Sequence, residues 1–463
     1  MTHSLVFDIG KTHARALVFD GALNCDYTLQ RRNAVIGGDP YPRLDTDGLW
    51  AWMLGAIREA ATRFPVSHLN VTTHGATAAL VDPARDGDGL VLPVLDYECE
   101  SPAQDRDYDA LRPPFSETLS PALPAGLNLG RQLWWLQRRF SRAFACARAV
   151  LTYPQYWAWR LGGEPCAEWT SLGCHTDLWS PRACDYSGLV EAAGWRALFP
   201  PIRDVRSARW QVSPALARET GLDPGCAVHT GVHDSNASLA NYLHAFPGEA
   251  FVLVSTGTWV VSMAPGASLG RLDPARDMLA NVDVRGDAVP CARFMGGREY
   301  ERICALTGAD PSGAVTAESL QSVLDAQVFA LPDFSAGSGP FPGLVGGVVG
   351  RAPDGTALAT LYVALMIDVQ LSMFGTSGKI IIEGPFAANP VFGGLLAALT
   401  GRSVHRSAGT HGTARGAALL CNWGRIRSGG LPTPCPPCEL RGLDLYRLAW
   451  RERVEQREEH ARG

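Results

Sequence analysis

No Gly-x-x-x-x-Gly-Lys-[Ser/Thr] run occurs in the 463 residues, which excludes a P-loop nucleotide enzyme. No Gly-x-Gly-x-x-Gly follows an apolar strand pattern, so the dinucleotide-binding turn is missing too. Gly-x-Ser-x-Gly occurs once, from Gly266 to Gly270, but Pro274 and polar residues follow it where a nucleophile elbow needs a helix. It reads as a chance match in a loop. A basic excess is also lacking: 41 Lys and Arg face 46 Asp and Glu, a net charge of −5, so neither nucleic acid nor an anionic membrane is expected as a partner. The N-terminus has no basic region leading into a long apolar stretch and a small-residue cleavage site, so no signal peptide is expected. The most helix-like apolar stretch, Leu358 to Phe374, carries Asp368 and Gln370 and reads as a buried helix, not a membrane span. A cytoplasmic location follows as the expectation. The 12 cysteines are scattered and fit reduced, small core residues. The one Cys-x-x-Cys, Cys435-Pro436-Pro437-Cys438, has no second pair to make a zinc site and no strand-then-helix context to make a redox motif. An exposed loop pair is expected there.

Hydrophobic residues make up 46% of the chain and charged residues 19%, enough apolar surface for a substantial core. At about 150 residues per domain the crude prior is three domains, and two larger α/β domains fit equally well. Two segments look alike. Ser4 to Phe19 and Phe251 to Met263 each join two β-rich runs across a short polar turn holding a glycine, a hairpin signal. The turn glycines, Gly10 and Gly257, lie 247 residues apart. That is too far for a solenoid repeat but suits two related domains, each opening on a hairpin. Strand and helix patterns alternate after each hairpin. Helices are expected over Leu49–Phe64, Thr356–Phe374, Pro390–Leu399 and Gly412–Trp423, and strands over Leu69–Thr73 and Lys379–Glu383. The alternation argues for an α/β protein with mixed or parallel sheets covered by helices. A boundary is expected between Leu243 and Glu249, where His244 to Gly248 reads as a loop. The charged tail from Arg451 to Gly463 reads as a solvated helix end or as disorder.

The first hairpin turn collects Asp8, Gly10, Lys11 and Thr12. Glycine lets backbone N–H groups approach an anion, lysine adds a point charge and threonine a hydroxyl donor. Asp8, at the strand end, suits Mg²⁺, held directly or through water. Taken alone, such a turn is more often an ordinary surface β-turn. The second turn, Ser255-Thr256-Gly257-Thr258, raises the odds, because two such turns could clamp a triphosphate. Gly231-Val232-His233-Asp234-Ser235-Asn236-Ala237 follows a strand pattern. Asp234 suits a general base for a sugar hydroxyl, and Asp234 or Ser235 equally suits the N-cap of the next helix. His233 is given no role. Thr73-His74-Gly75-Ala76-Thr77 and Leu95-Asp96-Tyr97-Glu98 are polar groups at strand ends, where α/β folds bind ligands. Ordinary loop polarity competes with that reading, most strongly at Tyr97 and Glu98. The aromatic helix Tyr153 to Gly163 reads as core.

In this order, the motifs resemble those of the FGGY carbohydrate kinases, members of the actin-like ATPase superfamily, from Leu5 to about Trp423. Asp8 to Arg15 looks like the family's first phosphate motif, Ser255 to Thr258 like the second, and Gly231 to Ala237 like the segment bearing the catalytic base. Glu383-Gly384-Pro385-Phe386-Ala387-Ala388-Asn389 stands where the family has its adenosine turn, and Gly412 to Leu420 resembles its late helix. The resemblance implies two actin-like (ribonuclease H-like) domains with a cleft between them: residues 1–245 with the sugar and the base, 246–450 with ATP, then the tail 451–463. It implies an ATP- and Mg²⁺-dependent ketose kinase with Asp234 as catalytic base. Asp8, Gly10, Lys11, Thr12, Arg15, Thr256, Gly257, Thr258, Gly384, Pro385 and Asn389 would meet the nucleotide. His74, Gly75, Asp96, Tyr97 and Asp234 would meet the sugar, and Asp8 and Asp234 the metal. A homodimer is compatible with this reading. Two departures stand out. The adenosine turn carries Glu383 and Pro385 where the family has more glycine, and Phe341 to Gly347 lacks the Gly-Glu-Arg run of xylulose and glycerol kinases, which argues against those two substrates. Lys11 and Phe294 to Glu299 look closer to kinases acting on L-fuculose or L-rhamnulose. An actin-like ATPase switch would share both hairpins but would not need the polar groups at His74 and Asp96. Asp234 and an intact first hairpin argue against a catalytically silent sugar-binding regulator.

Overall fold

Long-range packing divides the chain into two compact units: Met1–Pro247, Ala280–Ala288 and His411–Gly429 form unit 1, while Gly248–Leu279, Val289–Thr410 and Gly430–Gly463 form unit 2. The computed structural model describes residues 2–335, 337–407, 409, 411–425 and 432–462. A single cut near residue 246 does not reproduce these units, because two later segments return to unit 1. Side-chain bonds explain the return of 411–429. Asn70 Nδ2 donates to the Ala417 carbonyl at 2.8 Å and Asn241 Nδ2 to that of Gly412 at 2.8 Å. A Cβ at Gly416 would overlap the Ala237 carbonyl, so only glycine permits this approach. Segment 280–288 is held by the Ala280 N–H, which donates to Leu119 O at 3.0 Å.

Unit 1 is built on strands β1 (His3–Ile9), β2 (His13–Phe19), β3 (Cys25–Arg32), β4 (Val66–Thr73), β5 (Arg209–Gln211), β6 (Ala227–His229) and β7 (Val232–His233), ordered β5-β6-β4-β1-β2-β3, with β7 also on β4. β1 runs parallel to β4, β4 to β6 and to β7, and the β1/β2, β2/β3 and β5/β6 pairs are antiparallel. The near-continuous apolar run Leu5-Val6-Phe7 suits a strand covered on both faces. Helix α1 (Thr46–Arg63) starts where Asp45 accepts from the Gly48 N–H at 2.9 Å. It buries Leu49, Met53, Ala56, Ile57 and Ala60, one stripe of the 3.6-residue period. Helices α2 (Tyr153–Leu161) and α3 (Asp234–Ala245) follow. α2 ends at Gly162, whose φ is 123°, and its aromatic rings lie in the core.

The second sheet, in unit 2 apart from Ala280–Val282 and Ala288, carries β8 (Phe251–Ser255), β9 (Val260–Met263), β10 (Met278–Val282), β11 (Ala288–Phe294), β12 (Lys379–Glu383), β13 (Val404–Arg406) and β14 (Thr433–Cys435), ordered β10-β11-β9-β8-β12-β13-β14. β8 is parallel to β12 and β12 to β13, while β8/β9, β9/β11 and β13/β14 are antiparallel. The pattern of senses across β11-β9-β8-β12-β13-β14 is that of β3-β2-β1-β4-β6-β5. The two sheets thus share one ribonuclease H-like plan, each opening on a hairpin whose first strand pairs with a parallel crossover strand. Helices α4 (Gly296–Thr307), α5 (Gly355–Phe374), α6 (Pro390–Thr400), α7 (Gly412–Leu420, in unit 1) and α8 (Leu443–Arg462) follow along the chain. By length and composition α5 could cross a membrane, but 89% of its most apolar 18-residue stretch is buried inside the protein, as expected of a core helix. The charged tail is the largely solvated end of helix α8. Within α8, Trp450 and Val454 are buried, and Arg447 and Arg451 grip the buried Asp368 carboxylate of α5 at 2.7 Å each. Gly463 lies outside the described residues. Cys435 and Cys438 do not form an exposed loop pair. Both are half-buried, with their sulfurs over Gly393 and Gly394 of α6, 2.6 and 2.7 Å from where a Cβ would stand. Burial pushes both thiols up.

Candidate active site

In unit 1 the C-terminal ends of three parallel strands lie side by side. Asp8 of β1 and Val232 of β7 are both in register with Thr72 of β4. Asp8 and the residue that follows β7, Asp234, therefore flank the same strand end. Burial pushes the Asp8 carboxyl up to about 6; Arg15, directly opposite on β2, offsets part of that effect, and the negative charge of Asp234 adds to it. Asp234 is the first residue of α3, and His233 is the N-cap, with no side-chain cap bond. That rules out Asp234 or Ser235 as the N-cap. At the first helical turn the carboxylate gains instead from the helix dipole. Its Oδ1 accepts from the Ser235 N–H at 2.6 Å and lies 3.3 Å from His233 Nε2. Asn236 Nδ2 sits 3.2 Å from His233 Nδ1. An amide N–H can only donate, so Nδ1 accepts and the ring proton belongs on Nε2, facing Asp234. Sequence reasoning gave His233 no role; its position beside the acid is the only signal it carries there. Gly75 makes room for it, since a Cβ at that position would lie 2.9 Å from His233 Nε2 and 3.3 Å from Cys174 Sγ.

His74, Asp96 and Tyr97 gather at the same strand ends. His74 is buried, its Nδ1 is 2.9 Å from the Gly75 carbonyl, and its ring meets Tyr97 edge-on at 5.3 Å. Burial holds its pKa down, and Asp234 and Lys11 are near enough to act on it. Lys11, predicted with the nucleotide residues, sits with this group. Its ammonium bonds Asp96, lies 3.2 Å from Glu98 Oε2 and stands 4.6 Å from the Tyr97 ring centre. Gly10 spends its N–H within the hairpin, donating to His13 O at 2.9 Å. Thr12 is exposed beside His13.

Unit 2 holds a cavity of about 650 Å³ lined by Gly257, Thr258, Tyr300, Pro385, Phe386 and Asn389, among others. Thr256 does not line it. Its N–H and hydroxyl both donate to the Glu383 carbonyl, at 2.9 and 2.5 Å, and its Oγ1 accepts from the Phe386 N–H at 3.2 Å. Thr256 therefore ties the β8 end to the turn after β12. Gly384, at φ 86°, lets that turn pass, because a Cβ there would overlap the Thr256 carbonyl. Asn389 Oδ1 caps α6, accepting from the Val391 N–H at 3.0 Å. Gly297, Arg298, Tyr300 and Glu301 of α4 also face the cavity, and sequence reasoning missed them as contacts. The signal available was the glycine pair opening α4: a Cβ at Gly297 would overlap the Gly257 carbonyl. A bowl walled by glycine turns and rimmed by aromatic rings fits a nucleotide, whose phosphates need close backbone and whose base needs a flat apolar face.

A solved carbohydrate kinase from Novosphingobium aromaticivorans is 35% identical, covers 98% of each chain and superposes with a TM-score of 0.89. The family profile described as "Carbohydrate kinase FGGY, C-terminal domain" matches residues 248–428. The chain belongs to the FGGY carbohydrate kinase family. A xylulose kinase from Rhodospirillum rubrum, 17% identical over 100% of both chains with a TM-score of 0.80, shares the fold. So does a glycerol kinase from Plasmodium falciparum solved with ADP, 12% identical over 99% of this chain and 98% of that one with a TM-score of 0.79. No curated protein matches the sequence. As an FGGY kinase the protein is a phosphotransferase with two actin-like domains, and the family uses ATP as phosphoryl donor.

Proposed function

We propose that this kinase phosphorylates a hydroxyl of a ketose, a pentulose or a 6-deoxyhexulose such as L-rhamnulose or L-fuculose, with Asp234 as general base. The observation that carries the reading is the Asp234 carboxylate, part-exposed at the parallel strand ends and held through Oδ1 by Ser235 and His233. Its Oδ2 is left to take the proton from the attacking hydroxyl. An alcohol is a poor nucleophile, and a fixed carboxylate within hydrogen-bond reach supplies the base that phosphoryl transfer to it needs. His74, Asp96 and Tyr97 offer donors and acceptors for the other hydroxyls. Several relatives are named as xylulose kinases, which supports a ketose. Asp8 and Asp234 would hold Mg²⁺. Two carboxylates that flank one strand end, Asp234 adding its charge to the burial that raises Asp8, fit a divalent cation, which when bound would neutralise charge on the phosphates. The nucleotide would lie in the unit 2 cavity with its phosphates toward Gly257 and Thr258. A cytoplasmic setting, where ATP is plentiful, suits this chemistry. The test is ADP release with D-xylulose, L-fuculose and L-rhamnulose. One ketose should stimulate the wild type, and Asp234→Asn should lower that rate by about 10³-fold. ADP release that no sugar stimulates, at a rate Asp234→Asn leaves unchanged, would instead indicate a nucleotide switch.

A further inference from the structure

Lys11 is not placed as a phosphate ligand at rest. Its ammonium is held by Asp96 and, at 3.2 Å, by Glu98, above the Tyr97 ring. The Lys11 side chain is 18% exposed and that of Asp96 6%. A pair so far out of water gives up much of its Coulomb energy to desolvation, so stability is a weak reason to keep it. The choice of residue points the same way. Only two of the chain's 41 basic side chains are lysine, Lys11 and Lys379. Every other ion pair among the described residues of unit 1 uses Arg or His. Arginine would lock onto Asp96 with two parallel bonds. Lysine is a single point charge on a four-carbon stem and can change partners. The partner it holds, Asp96, is also one of the groups assigned to the sugar.

We propose that Lys11 is a switched cation. Asp96 and Glu98 retain its ammonium until a sugar hydroxyl donates to Asp96 and competes for that carboxylate. The freed ammonium then meets the transferring phosphoryl group. Transfer is thereby coupled to the presence of sugar, and hydrolysis of ATP without sugar is held down by an ion pair in unit 1. The inference rests on the proposed ketose-kinase reading and adds the device that links its two substrates.

The experiment measures ADP release by the full chain with MgATP, first without sugar and then with whichever of D-xylulose, L-fuculose and L-rhamnulose stimulates the wild type. Asp96→Asn should raise the sugar-free rate about tenfold and raise the sugar KM. Glu98→Gln, at a more exposed position that spares the fold, should raise the sugar-free rate about threefold. Adding Lys11→Met to Asp96→Asn should bring the rate back to the wild-type level. Lys11→Arg should leave the sugar-dependent kcat at least about tenfold down, since the locked fork does not release. Sugar-free rates equal to wild type in both carboxylate variants, or a rise that persists in the double variant, overturn the proposal. Full kcat in Lys11→Arg overturns it as well. If no ketose stimulates the wild type, the sugar assignment fails and the coupling with it. If a ketose stimulates the wild type but the carboxylate variants idle no faster, only the coupling fails.

Discussion

Substituting Gly384 by alanine tests how unit 2 holds its nucleotide cavity. Gly384 sits at φ 86°, ψ −169°, a region essentially confined to glycine, and a side chain there stores about 1–3 kcal/mol of strain. Its new methyl would also fall on the Thr256 carbonyl oxygen, inside the 3.0 Å that real Cβ contacts respect. Backbone is rigid on both sides, so the turn must withdraw. Three hydrogen bonds hold it at Thr256: two to the Glu383 carbonyl and one from the Phe386 N–H. At roughly 1 kcal/mol each, their loss brings the total to about 4–6 kcal/mol. That predicts a thermal midpoint lower by roughly 10 °C or more. Pro385, Phe386 and Asn389 ride on the same turn and line the cavity, so the KM for ATP should rise about tenfold while the sugar KM changes little. Differential scanning calorimetry with steady-state kinetics reads both quantities. A Gly384→Ala protein with the wild-type midpoint and the wild-type KM for ATP would refute the reasoning.

Gly75→Ala should push His233 off Asp234, because its Cβ would lie 2.9 Å from His233 Nε2; kcat should fall about tenfold with the KM for ATP unchanged, and an unaltered kcat would count against His233 as the orienting group. Burial holds the His229 pKa down to about 3, so the ring stays neutral when folded and takes up a proton below its ordinary 6.5 when unfolded. Stability should therefore rise with pH between about 3 and 6.5, by up to roughly 1.4 kcal/mol per unit from this group; urea titrations at several pH values should show a shallower slope in His229→Gln, and an identical slope would refute the assignment. Asp368→Ala should undock α8 by releasing Arg447 and Arg451; because both guanidiniums are about a third exposed, the cost should be about 2–3 kcal/mol, visible as faster proteolysis within residues 443–462, and an unchanged cleavage rate would oppose it.

Local pattern carried the two hairpins and the long helices into the sequence reading, because strand and helix periods are written in neighbouring residues. Asp234 was legible as a candidate because a small-residue run after a strand pattern is a local feature. What sequence did not disclose depends on contacts far apart in the chain. Lys11 and Asp96 are 85 positions apart, and nothing near Lys11 announces that its ammonium bonds Asp96. Thr256 has the residue type of a phosphate ligand, yet its hydroxyl is used by a carbonyl 127 positions away. The return of 411–429 to unit 1 was hidden likewise, since Gly416 reads as an ordinary helix glycine until its approach to Ala237 is seen. The Cys435–Cys438 pair looked exposed because prolines mark loops, but β14 pairs with β13 along Thr433 to Cys435.

Asp234 is proposed to meet the sugar and Mg²⁺ as well as to take the hydroxyl proton, and turnover depends most on the proton transfer. Equilibrium binding to Asp234→Asn of the turned-over ketose and of a non-hydrolysable ATP analogue, measured alongside turnover, separates the two roles. Affinities within about threefold of wild type are expected, with turnover down about 10³-fold. Turnover above a tenth of wild type, or affinity lost in step with turnover, would contradict the proton-transfer role.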